Sequence, residues 1–233
     1  MLEKVDWKEE IKTEPIVEFG GISVNVKTIL LIAGQSMAGK TITCIHFLNE
    51  AIIKNIRTAY FDIDEKTIID RQEPNLFKEL SKSNQKKYDS CLSYYQSFDK
   101  ELFFEEIEKL KPALVILDGI YHSFCVNTTI ANERAKLIKD FLIQLREFMK
   151  IHKIGVILTT PIGKITKEGK TELVMLGGES IKYLSDVKVM IQFVEDETKD
   201  SKSAYKRIFF VDKNHQFAFN IDYGGKLIPI NYP

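Results

Sequence analysis

The feature that most restricts the fold is a change of pattern around residue 34. Residues 27–34, KTILLIAG, form a short continuous apolar run, the pattern of a strand buried on both faces. Residues 40–55, KTITCIHFLNEAIIKN, switch to helical period, with Ile42, Ile45, Phe47, Leu48, Ile52 and Ile53 on one broad apolar side. Between them stands Gly34-Gln35-Ser36-Met37-Ala38-Gly39-Lys40-Thr41, which satisfies G-x-x-x-x-G-K-[ST]. Each part has a chemical reason. The two glycines let the backbone turn several N–H groups inward as an anion nest. The helix that follows adds the positive end of its dipole. Lys40 is placed to reach phosphate oxygens, and Thr41 to offer a hydroxyl to Mg²⁺. A strand, this loop and a helix in direct succession commit the chain to an α/β architecture with a phosphate site at a strand's carboxyl end.

The rest of the chain continues the alternation. RTAYFDID (57–64), CLSYYQSF (91–98), ALVILDGI (113–120) and IGVILTT (154–160) read as strands. DKELFFEEIEKLKP (99–112) reads as a helix with Asp99 as N-cap and Pro112 as its stop. Residues 131–153 read as the longest amphipathic helix, with Leu137, Phe141, Leu145 and Phe148 on one stripe. Residues 65–90 read as helical pieces interrupted by Pro74, and a Gly/Lys-rich loop and a short helix are expected after residue 160. VKVMIQFV, AYKRIFFVD and FAFNID resemble antiparallel strands, with EDETKDSKS (195–203) as a hairpin loop. Together these predict a mainly parallel sheet flanked by helices, extended by antiparallel C-terminal strands.

Acidic residues stand where such a sheet holds its ligands. Asp118 closes the apolar run ALVILD at the carboxyl edge of a strand, the position from which a carboxylate orients Mg²⁺ through its water shell. Asp62, Asp64 and Glu65 crowd the end of YFDIDE. Asp62 belongs to the strand end. Glu65, with Asp64 as the alternative, is the candidate base that polarises an attacking water. Some nucleotide kinases share this order, but they need an arginine-rich lid. Arginine occurs here only at positions 57, 71, 134, 146 and 207.

With these pieces in order, the chain resembles the RecA/RadA/KaiC group of P-loop ATPases, and most resembles small core-only archaeal RadA paralogues and KaiC-like proteins. Phe19-Gly20-Gly21-Ile22 resembles the turn before the first core strand of that group. ILLIAGQSMAGKT matches its Walker A segment, YFDIDE its strand ending in paired acids, and LVILDGI its Walker B segment. LGGESIKYLSDVKVMIQF and KRIFFVDKNHQFAFNIDYGGKLIPI are similar to the segments that re-enter and close the sheet. The resemblance covers roughly residues 16–230. It implies one RecA-like domain over residues 1–233, with 1–15 as a polar N-terminal extension, and ATP with Mg²⁺ as ligands. It implies that Gly34 to Thr41 hold phosphate and Mg²⁺, that Glu65 or Asp64 is the catalytic carboxylate, and that Asp118 is the Walker B aspartate. Lys213 corresponds to a basic residue that KaiC-like proteins present to a neighbour's ATP. Recombinases end the strand matching ILTT with an amide or carboxylate that senses the γ-phosphate. Thr159-Thr160-Pro161 stands here, so the hydroxyl of Thr160 takes that place or the coupling is weakened.

Composition narrows the partners. Lys+Arg and Asp+Glu both number 33, so a general affinity for nucleic acid is not expected. A local one is possible at GKITKEGKTEL (163–173), where Lys164, Lys167 and Lys170 recur between glycines, as phosphate contacts require. Cys44, Cys91 and Cys125 form no CxxC pair and are expected as small buried apolar groups in a reducing compartment. The four histidines lack metal-site spacing. No apolar run is long enough to span a bilayer, and the start is charged, so a cytoplasmic protein without membrane contact is expected. Two functions follow from the resemblance. One is a slow ATPase assisting DNA repair or recombination, with single- or double-stranded DNA and a recombinase or further copies of itself as partners. The other is a KaiC-like ATP-binding regulatory or assembly module, of signalling or motility type, with little hydrolysis and no DNA role.

Overall fold

The computed structural model describes residues 15–63, 86–87, 89–125, 128–167, 170–194, 206–210, 216–221 and 227–230. The chain opens with a hairpin, β1 (Val17–Phe19) and β2 (Ile22–Val24), in register Phe19↔Ile22. Its turn residues Gly20 and Gly21 both have positive φ, 57° and 75°. Such two-residue turns match the right-handed twist of a hairpin and favour glycine. Then come β3 (Ile29–Gly34), α1 (Lys40–Ile53), β4 (Thr58–Asp62), β5 (Leu92–Tyr95), α2 (Lys100–Leu110), β6 (Leu114–Asp118), α3 (Ile120–Ser123) and α4 (Ala131–His152). β7 (Gly155–Lys167), β8 (Lys170–Met175), α5 (Glu179–Tyr183), β9 (Val187–Val194), β10 (Lys206–Phe210), β11 (Gln216–Ile221) and β12 (Leu227–Ile230) complete the order.

The main sheet runs β12-β11-β10-β9-β3-β7-β6-β4-β5, with β8 paired to β7 alone. From β5 to β9 all neighbours are parallel, and from β9 to β12 all are antiparallel. The expected mixed sheet is therefore present. Every residue of β3, β4 and β6 is buried, because both faces of the parallel part are covered. Side chains alternate between the two cores. Leu30 and Ile32 join Phe47, Leu48 and Ala51 of α1 and Val17 and Val24 of the hairpin. Ile29 and Leu31 join Phe141, Leu142 and Leu145 of α4 and Phe103 and Ile107 of α2. Each such side chain stabilises by about 1.5–3 kcal/mol through its burial.

Arg146 of α4 ties this second layer to the sheet. Its guanidinium donates to the carbonyls of Leu184 and Lys27 and pairs with Asp186 at 2.8 Å. The other Asp186 oxygen accepts the Ile29 N–H at 2.7 Å. One arginine thus joins α4, the start of β3 and the entry to β9.

Several expectations change. The strand expected to end at Thr160 continues through Pro161 to Lys167 and pairs with β8, so the Gly/Lys-rich loop is a β-hairpin. Proline is tolerated because Pro161 stands opposite Gly34, the last pair of the β3 ladder, at the sheet's rim. Helix α4 buries Ile138, Phe141, Leu142, Leu145 and Met149, so its core stripe includes Phe141 and Leu145 while Leu137 and Phe148 lie at its margin. Ile53, expected on the apolar side of α1, is exposed. Cys44 and Cys91 are buried as expected, but Cys125 is only half-buried and its thiol donates to the Tyr121 carbonyl at 3.3 Å. Of the helical pieces expected over 65–90, residues 86–87 and 89–90 are helical; the rest of that stretch and the hairpin loop at 195–203 lie outside the described residues.

Candidate functional site

The glycine-bounded loop leaves the carboxyl end of β3 and delivers its last residues into α1. Gly39, at the helix N-cap, has φ 106° and ψ 16°, a conformation that glycine adopts without a Cβ penalty. Gly34 is required for a different reason: a Cβ there would lie 3.0 Å from the Ile191 carbonyl oxygen and 3.4 Å from the Ala38 Cβ. Ala38 is buried beneath the loop, Ser36 is exposed, and Gln35 is half-buried with its carbonyl accepting the Ala38 N–H. Met37 crowns the loop, 87% exposed, at φ 63°. A methionine costs more there than a glycine. The Lys40 ammonium donates to the carbonyls of Gly34 and Gln35 at 3.0 and 2.9 Å. Thr41 is half-buried in the first turn of α1, and the Thr43 hydroxyl donates to the Gly39 carbonyl. That first turn carries no acidic side chain, so none of its own residues offsets the positive end of the helix.

Asp118 ends β6. A single strand, β7, separates β6 from β3, which puts the aspartate about 10 Å from the loop strand at the ordinary strand spacing. Asp118 is 2% exposed. One carboxylate oxygen accepts the Tyr60 hydroxyl at 3.0 Å, and the other accepts the Thr159 hydroxyl at 2.6 Å. The Thr159 oxygen in turn accepts the Gly119 N–H at 2.7 Å. Burial, reinforced by the charge of Asp118, pushes the Tyr60 hydroxyl well above the ordinary tyrosine range. The thiol of Cys44, in α1, is pushed up by burial and then by Asp118, with Lys40 opposing and Asp62 adding to the rise. Lys40 and both aspartates therefore all act on the Cys44 thiol.

Asp62 is the register partner of Asp118 across β4 and β6 and is itself buried. It accepts the Tyr94 hydroxyl at 3.0 Å. Directly beyond, the Ile63 N–H donates to the Asp118 carbonyl. The chain therefore leaves the sheet beside Asp118, and the candidate bases Asp64 and Glu65, next in sequence, lie outside the described residues, as does Lys213.

Thr160 stands opposite Ala33 in the β3–β7 ladder and is fully buried. Its hydroxyl donates to the Leu176 carbonyl at 2.7 Å, and the Leu176 N–H returns to the Pro161 carbonyl. The proton a γ-phosphate sensor would offer is committed to the base of the β7–β8 hairpin. On that hairpin Lys164 is exposed opposite Leu173, while positions 167 and 170 pair with each other.

Sequence reasoning missed Tyr60, Tyr94 and the role of Thr159. A hydroxyl two residues before the acid on a neighbouring strand was the available signal, but its partner is set by sheet register. Among the described residues no group of histidine, cysteine or acidic side chains is arranged to hold a metal on protein ligands alone.

A phosphate loop, one intervening strand and then a strand-end aspartate, all at the carboxyl edge of a parallel sheet, define a P-loop α/β fold of the RecA type. The same architecture occurs in a KaiC-like protein from the hyperthermophilic archaeon Pyrococcus horikoshii OT3, which matches this chain with a TM-score of 0.59 over 92% of each chain at 16% identity. No protein-family model matches the chain, and comparison with curated proteins finds no match. No described helix is long and apolar enough to cross a membrane.

Proposed function

We propose that this chain binds ATP with Mg²⁺ and hydrolyses it slowly. The observation that carries the reading is the cradle itself: Lys40 and Thr41 open α1 directly after the glycine-bounded loop, and the Lys40 ammonium already lies against two of that loop's carbonyls. The donor set fits a phosphate chain and a hard cation, because it combines the start of a helix, an ammonium, a hydroxyl and one carboxylate. When bound, Mg²⁺ would draw charge from the phosphate oxygens. Lys40 would exchange the Gly34 and Gln35 carbonyls for phosphate oxygens. Thr41 would offer its hydroxyl to the cation, and Asp118 would accept hydrogen bonds from its water shell. Glu65, with Asp64 as the alternative, would orient and polarise the attacking water.

The role we assign is assistance in DNA repair or recombination. Support comes from the β7–β8 hairpin, which continues from the strand beside the phosphate loop and includes positions 164, 167 and 170, all lysine. A recombinase, or further copies of this chain supplying Lys213, would be the protein partner. A second reading, a KaiC-like regulatory module that uses nucleotide occupancy rather than turnover, draws support from the commitment of Thr160 to Leu176.

An ATPase assay with and without single- and double-stranded DNA, across a salt titration, decides between them. DNA stimulation that fades with salt is expected for the repair role. An unchanged rate with no DNA binding at low ionic strength sinks it and leaves the regulatory reading. Loss of basal hydrolysis in Glu65→Gln would rule out a sensor without turnover.

A further inference from the structure

We infer that Tyr60 and Thr159 are positioning residues that aim Asp118 in advance and thereby set how strongly Mg²⁺ couples to ATP binding. The inference rests on the ATP-site reading given above. A carboxylate has about four acceptor directions. In Asp118 one direction on each oxygen is already used, by donors on the two strands that flank β6: Tyr60 on β4 and Thr159 on β7. Held from both sides, the carboxylate plane cannot rotate without breaking a buried hydrogen bond, and its remaining acceptor directions are set before any ion arrives.

The two donors are themselves oriented. The Thr159 hydroxyl has one proton, and because its oxygen accepts the Gly119 N–H at 2.7 Å, that proton is directed to Asp118. The Gly119 φ of 105° lets the chain turn back sharply enough for this contact. The Tyr60 ring is buried and lies against the Tyr94 ring, centroids 5.9 Å apart and planes 22° from parallel. Hydroxyls that orient the group facing a metal typically change its affinity 10–100-fold when removed.

The test is the ATP dissociation constant of the full chain, measured in EDTA and in Mg²⁺. In Tyr60→Phe and Thr159→Val the Mg²⁺-dependent gain in affinity should fall about tenfold or more, while the affinity in EDTA stays near that of the unsubstituted chain. Thr159→Ser keeps the hydroxyl and should keep the gain. Tyr94→Phe removes a tyrosine–aspartate hydrogen bond of the same length, the partly buried one to Asp62, and should also keep it. An undiminished gain in Tyr60→Phe and Thr159→Val overturns the inference, as does an equal loss in Tyr94→Phe, which would make it a general effect of loosening the sheet edge. An unsubstituted chain that binds no ATP overturns the ATP-site reading as well, so the two failures are distinguishable.

Discussion

Lys40 illustrates how one side chain can serve two partners. Its ammonium now satisfies two loop carbonyls, and the same donors suit phosphate. Hydrogen bonds to a charged group contribute about 1.5–3 kcal/mol, so Lys40→Ala should weaken ATP binding roughly 10–100-fold by calorimetry. Tyr60 and Cys44 give the site a pH signature. Both are raised above their ordinary values, so the folded chain retains protons that the unfolded chain gives up, near pH 8.5 for a thiol and pH 10 for a phenol. Their stabilising contribution is complete below those values and is lost as pH rises above them toward the folded-state values. The urea midpoint should be level to about pH 8 and then fall, and Tyr60→Phe should flatten the fall above about pH 10. Gly34, Lys40 and Asp118 were legible because a local motif or a strand end marks them. Tyr60 was not: its hydroxyl meets a residue 58 positions away, and only the register of β4 against β6 reveals the pair.

Helix α2 was readable from its ends. Asp99 caps it, accepting the N–H groups of Glu101 and Leu102 at 2.8 and 3.3 Å. Asp99→Ala should cost about 1 kcal/mol in a urea denaturation experiment. The parallel strands were readable because a short unbroken apolar run needs cover on both faces, and a strand inside a helix-flanked sheet provides it. The β7–β8 hairpin was not. Pro161 and the glycines suggested an end to the strand, but Pro161 falls where the ladder with β3 runs out. The hairpin β1–β2 had a sound local signal in Gly20-Gly21, yet strands of three residues carry too little periodicity to be read from pattern alone.

At the scale of the whole molecule, the phosphate loop depends on how closely three strands meet. Gly34 pairs with Pro161 on one side and Ile191 on the other. Gly34→Ala would drive a Cβ against the Ile191 carbonyl at 3.0 Å, and overpacking of this kind costs typically 1–3 kcal/mol. The expected result is a lower thermal midpoint together with weaker ATP binding. The clamp from Arg146 to Asp186 and Ile29 joins the same regions, with Ile29 and Asp186 157 residues apart in sequence. This separation gives the site a birth order. The glycine loop leaves the ribosome well before the strands that wall it, which begin at residue 155 on one side and residue 187 on the other. Pairings so distant in the chain form late and slowly, so the motif is written early and becomes a cradle only when synthesis has passed Ile191.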